Sequence, residues 1–293
     1  MVYRLKKKIL FSEVAILLEA EVIGSDQELL SVAAFGNSGS GDLTFSNKFS
    51  SLTQACLITD EIPTDFPDNS AFIKSENPRL DFIRALDFLN KEIGFSHHDF
   101  VSEIHPSSIL GDNVVIENGC KIGKEVIIEH NTTIHSGTTI GDYSRIRSNC
   151  SIGGEGFGFE TLPNGSTIRF VHLGGVNIGK NVEIGALNSV VRGALGDTII
   201  QDYVKTDNLV HIAHNCNIGK GSLITACSEI SGSVKIGKNV WLGPNCSINN
   251  KIEIGDEAFI GLGATVTKSI PKNEIWAGNP ARLIKKQESN VEN

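Results

Sequence analysis

The stretch TDNLVHIAHNCNIG places Asp207, Asn208, His211 and His214 within eight residues of one another. An imidazole exchanges a proton near neutral pH, which suits it to general base catalysis or to holding a metal ion. His211 and His214 form an HxxH pair. Residues three apart on a strand point to opposite faces, so the two do not share one ion and no metal is expected. His97, His98, His105, His135 and His172 stand in no motif and read as surface residues, and His130 reads as a solvated turn histidine. Among the six cysteines no CxxC pair occurs. Cys120, Cys150, Cys216 and Cys246 fall on a repeat and read as small core residues, which suits a reducing cytoplasm.

The chain-wide numbers narrow the partners. A net charge of −8 argues against DNA or RNA, because phosphate backbones need a basic surface, while leaving room for a local basic pocket. Lys6, Lys7 and Lys8 before an apolar run resemble a signal peptide. Glu13 interrupts that run, however, and it is too short to span a membrane, so no membrane insertion is expected. Aromatic residues at 6% and 30 glycines suit thin aliphatic layers joined by tight turns.

The elements that must position these side chains come from an internal repeat. From Ile104 to Ile152 an aliphatic residue recurs every six positions. The ladder breaks at GGEGFGFETLPNGSTIRFVHLGG, resumes at Ile178, shifts register across RGALGDT, and runs from Ile200 to Val266. Of 24 rungs, 23 are Ile, Leu or Val, Thr206 being the exception, so a chance pattern is excluded. Four residues after a rung comes a small or β-branched residue, and glycine often follows the rung directly, where it is expected to ease a turn. A period of six is not helical; it reads as short strands with alternate residues inward. Three such sides close an 18-residue coil, so 24 rungs give about eight coils at roughly 4.8 Å each.

This pattern resembles the left-handed β-helix (hexapeptide-repeat) acyltransferases over residues 101–270. TDNLVHIAHNCNIG, GDLTFSNKF, ENPRLDF, GGEGFGF and VEIGALNSVVRGALGDT narrow the resemblance to the lipid A N-acyltransferase acting on UDP-3-O-acylglucosamine. The resemblance implies that His214 is the general base and that the Gly232 N–H stabilises the oxyanion. Gly232 lies 18 residues on, one coil above. Asp207 and Asn208 match the family's DN pair and are expected to orient the imidazole or the sugar. Asn47 and Phe49 match a base-binding motif two residues longer, which leaves thymine and uracil equally open. Phe157 and Phe159 are expected to wall the sugar site or meet a neighbouring subunit.

Two departures weigh on the donor. Asn250 and Lys251 stand where the family carries a second histidine. The ending GLGATVTKSIPKNEIWAGNPARLIKK resembles that of CoA-dependent hexapeptide acetyltransferases, so Lys268, Arg282 and Lys285, with Lys272 and Lys286, are expected to meet CoA phosphates. The resulting expectation is a mainly β chain in three parts. Residues 1–100 form a nucleotide-binding α/β domain, 101–270 a left-handed parallel β-helix, and 271–293 a tail ending in a polar, disordered QESNVEN. As a homotrimer with no bound cofactor, it would move a short hydroxyacyl group from acyl-CoA to the amine of a dTDP- or UDP-linked deoxyamino sugar for surface polysaccharides such as O-antigen. The first alternative is the lipid A enzyme itself, taking a 3-hydroxyacyl chain from acyl carrier protein. The second is a non-catalytic sugar-binding β-helix.

Overall fold

The computed structural model describes residues 1–48, 54–66 and 69–286. The chain divides into two compact units, residues 1–99 with 157–171 and residues 100–156 with 172–293.

The first unit is built on a six-stranded sheet in the order β1-β3-β4-β5-β6-β2. The strands are β1 (Val2–Leu10), β2 (Ile23–Gly24), β3 (Glu28–Ala33), β4 (Asp42–Ser46), β5 (Cys56–Thr59) and β6 (Ala71–Lys74). The run Lys6–Lys8 thus lies in an edge strand, with Tyr3, Leu5 and Ile9 buried, and charged side chains are what an exposed sheet edge favours. β5 pairs in parallel on both sides and is buried throughout, as a central parallel strand requires. α1 (Phe11–Leu17) follows β1 directly. α2 (Pro78–Phe88) starts where Asn77 accepts the Leu80 N–H at 3.2 Å and proline occupies the first turn. Leu80, Phe82, Ile83 and Leu86 form its buried face, with Phe82 4.7 Å from Phe45 between ring centroids.

The second unit is a parallel β-helix of three sheets, two of 8 strands and one of 10. Rung stacks on rung, as in Ile122 on Ile140, Ile134 on Ile152 and Ile212 on Ile230. These isoleucines are at most 4% exposed and make the core a column of aliphatic side chains. Each fully buried one contributes about 1.5–3 kcal/mol of transfer free energy. The ten-stranded face gains its extra strands, Glu274–Ala277 and Arg282–Lys286, from a C-terminal hairpin. The QESNVEN segment lies outside the described residues. No described helix is long and apolar enough to cross a membrane.

The corners correct one expectation. The left-handed backbone conformation falls three residues after most rungs, at residues such as Asn131 (φ 57°), Tyr143 (62°), Asn181 (56°) and Asn215 (59°). Asparagine tolerates that region better than most residues. The glycines directly after the rungs are needed for a different reason, the approach of the next coil. A Cβ on Gly123 would lie 2.7 Å from Asp142 Oδ1, and one on Gly141 2.7 Å from the Gly179 carbonyl carbon. The Thr206 rung is also explained. Its hydroxyl donates to Asn188 Oδ1 at 2.9 Å inside the prism and accepts the Gly185 N–H at 3.1 Å.

Candidate active site

The last sheet of each coil leads back to the first sheet of the next through a corner, and His214 lies on one such corner, between Ile212 and Ile218. Both interruptions of the six-residue ladder fall on this same corner, in the two coils before it: residues 153–175 and 192–197. Their backbones are tied together. Leu173 N–H donates to Ala194 O at 2.9 Å, and Gly174 N–H to Gly193 O at 3.0 Å. Arg192 clamps the start of the first interruption, donating to Gly153 O and Ser136 O at 2.7 Å each. Burial pulls the Arg192 pKa down against the nearby Glu155 and Glu117 carboxylates.

This support fixes the chemistry of His214. Asn215 Oδ1 accepts the Ala194 N–H at 3.0 Å, while its Nδ2 donates to Gly196 O at 3.2 Å. The amide orientation is therefore set by the backbone, and Oδ1 is an acceptor. His214 Nδ1 lies 3.1 Å from that oxygen and must donate to it. The proton is thereby assigned to Nδ1, leaving the lone pair on Nε2 for a substrate proton. Gly232 packs against this edge: a Cβ there would lie 2.7 Å from both Cε1 and Nε2. At the same turn position on a different corner the N–H is taken, at Lys124 by Asp142, at Lys180 by Asp202 and at Lys238 by Asp256, and on the same corner the Ser136 N–H is taken by Glu117. Among the described residues the Gly232 N–H has no protein acceptor. A free base nitrogen and an open amide donor thus stand side by side.

The other residues named from the sequence are distributed as follows. Asn250 stacks two coils beyond His214 on the same corner, and Lys251 beside it adopts φ 60° with its N–H on Gly232 O. His211 points outward from the adjoining strand, opposite Ser189 and Glu229. Asp207 and Asn208 lie on the preceding corner, not beside His214. Asn208 Oδ1 accepts the Ala186 N–H of the preceding coil at 2.8 Å, and Asp207 Oδ1 accepts the Asn208 N–H at 2.7 Å, so within one chain Asn208 ties two coils together and Asp207 shapes its own turn. Asn47 is exposed at the end of β4, and Phe49 lies outside the described residues. Phe157 is 91% exposed, its ring 5.1 Å from that of Phe159, which Arg169 covers at 4.5 Å. Both belong to the first unit.

Sequence reasoning missed two residues and misplaced one. Asn215 and Arg192 stand in quoted motifs without an assigned part, and the break in the six-residue clock was the available signal. His172, read as surface, is 3% exposed and packs 5.5 Å from His214 between ring centroids. His97 and His98 are half-buried and stacked on one another at 4.1 Å. Cys216, near the base, is no nucleophile: burial pushes its thiol up to about 12.

Known proteins bear on which reaction this corner serves. The family described as bacterial transferase hexapeptide (six repeats) matches residues 119–154 and 233–268. A UDP-3-O-acylglucosamine N-acyltransferase of Campylobacter lari is 33% identical over 94% of this chain and 93% of its own length. One from Delftia acidovorans is 30% identical over 92% of this chain and 86% of its own. The chain belongs to the UDP-3-O-acylglucosamine N-acyltransferase family. A crystal structure of a UDP-N-acetylglucosamine acyltransferase, with TM-score 0.50 and 22% identity over 62% of this chain and 70% of its own, shows the same left-handed β-helix fold.

Membership in this acyltransferase family corrects the main functional expectation. Likeness running almost end to end to UDP-3-O-acylglucosamine N-acyltransferases overturns the reading of a short acyl-CoA donor and a deoxyamino sugar of O-antigen. The basic residues of the tail are placed as follows. Lys268 sits 5.3 Å over the Trp276 ring, Arg282 donates to Ala281 O, and Lys286 lies 3.8 Å from Glu274, while Lys285 stands in the hairpin opposite Ile275.

Proposed function

We propose that the protein N-acylates UDP-3-O-acylglucosamine, taking a 3-hydroxyacyl chain from acyl carrier protein in the synthesis of lipid A. The substrate is what the names of its relatives state for those proteins, and the donor is what the family resemblance implies. The observation that carries the reading is the corner itself, where the Nε2 of His214, the ring nitrogen not bonded to Asn215, adjoins the unused N–H of Gly232. The sugar amine attacks the thioester carbonyl, and His214 Nε2 takes the proton the nitrogen loses. The Gly232 N–H holds the oxyanion. Collapse breaks the carbon–sulfur bond, and the imidazolium returns its proton to the departing thiolate, giving an amide and a thiol.

The working form in this proposal is a homotrimer. Asp207, Asn208 and His214 lie on adjoining corners of one coil and hence at nearly one height. A threefold arrangement of parallel prisms conserves height, so the DN corner of one copy meets the His214 corner of the next. The test is to incubate the protein with UDP-3-O-(3-hydroxyacyl)glucosamine and 3-hydroxyacyl-acyl carrier protein and analyse the sugar by mass spectrometry. An added amide-linked acyl chain is expected. An unmodified amine, with acylation of another amino sugar instead, would overturn the proposal.

A further inference from the structure

We infer that His172 is a positioning residue for His214, setting the plane of its imidazole and hence the direction of the Nε2 lone pair. The inference rests on the reading of His214 as the base. One hydrogen bond, from Nδ1 to Asn215 Oδ1, fixes a point on the ring but leaves rotation about that bond. Gly232 bounds one edge without filling the space beside it. The contact that fixes the plane is His172, whose ring meets that of His214 at 70° with centroids 5.5 Å apart, an edge-to-face arrangement that aromatic rings favour.

The position of His172 is itself determined. The residue is 3% exposed, and Gly156 packs so closely that a Cβ there would lie 2.8 Å from His172 Nε2 and 3.0 Å from Val191. The next two residues bond the 192–197 turn, through Leu173 to Ala194 and Gly174 to Gly193. That turn also holds Asn215, through Ala194 N–H and Gly196 O. The two histidines are therefore mounted on one backbone cluster, and neither ring shifts without straining it. This gives the long interruption a purpose: it returns to the prism at the residue that braces the base.

The test compares His172→Ala and His172→Phe, each with and without His214→Ala, for kcat and KM with UDP-3-O-acylglucosamine. Nitrogen-15 chemical shifts of the His214 ring are recorded in parallel as a readout independent of turnover. His172→Ala is expected to lower kcat about tenfold to a hundredfold, the scale of misplacing a catalytic group by roughly 1 Å, with KM unchanged. His172→Phe restores most of the rate, His172→Ala has no further effect once His214 is gone, and the His214 shifts move from the fixed Nδ1–H form toward averaging. A rise in KM alone, an equal loss in both backgrounds, or an unchanged rate would overturn the inference. Should His214→Ala itself retain full turnover, the base reading fails. The shifts still decide whether His172 fixes the ring, and unaltered shifts in His172→Ala would sink that claim alone.

Discussion

Gly232→Ala isolates the geometry of the corner in a single methyl group. Gly232 does not occupy the left-handed region, so alanine adds no backbone strain. What it adds is a Cβ 2.7 Å from both Cε1 and Nε2 of His214. Carbon contacts are most favourable near about 3.5–4.0 Å, so the imidazole must retreat by roughly 1 Å. Misplacement on that scale costs about 10² in rate. The ring is half-buried, so the stability cost stays at or below about 1–3 kcal/mol, the range for overpacking. The assay is steady-state N-acylation together with a thermal melt, beside Gly36→Ala, where a Cβ meets nothing within 4 Å. The expected outcome is a kcat about a hundredfold lower for Gly232→Ala with a melting midpoint within a few degrees of wild type, and no change for Gly36→Ala. A Gly232→Ala enzyme with wild-type kcat would refute the placement of Nε2.

Three further outcomes follow from the same contacts. Asn215→Ala removes the acceptor of the His214 Nδ1–H and should lower kcat about tenfold to a hundredfold, whereas Asn215→Asp keeps that acceptor and should lose less. Thr206→Val looks conservative for a rung but leaves Asn188 Oδ1 without its donor, and urea unfolding should show a loss of about 1–3 kcal/mol. Burial pushes the thiols of Cys56 and Cys216 up to about 12 and that of Cys150 to about 11, and raises Cys120 and Cys246. The thiolate is the reactive form, so these five stay protonated and inert at pH 8. Iodoacetamide should label only the exposed Cys227 in the native protein, as mass spectrometry will show, and all six cysteines after unfolding.

The prism was legible because its period is strict. Every sixth residue faces the axis, and substituting a polar rung exposes the lapse at once, as Thr206 does. The corners were harder to read, because a glycine after a rung signals a turn and a close coil-to-coil approach equally well. Only the φ values separate the two, placing the left-handed residue at Asn131, Asn181 or Asn215 instead. Of the candidate site, His214 and Gly232 were legible from their motif and their spacing of one coil. His172 was not, since its approach depends on how an irregular segment folds back, which no periodicity encodes. Asp207 and Asn208 show what a single chain leaves open. Seven residues from His214 along the chain, Asp207 lies around a corner from it within one copy, because six residues complete one side of the coil.

The central claim is that the imidazole of His214 takes the proton from the attacking amine. The most direct measurement is kcat for His214→Ala against His211→Ala with UDP-3-O-acylglucosamine as acceptor, each variant having first been shown to melt at the wild-type temperature. Removing a positioned general base should lower kcat by about 10² to 10⁴, while losing an outward-facing histidine on the adjoining sheet should change it by less than about tenfold. Equal losses from both variants, or a His214→Ala enzyme within tenfold of wild type, would contradict the account.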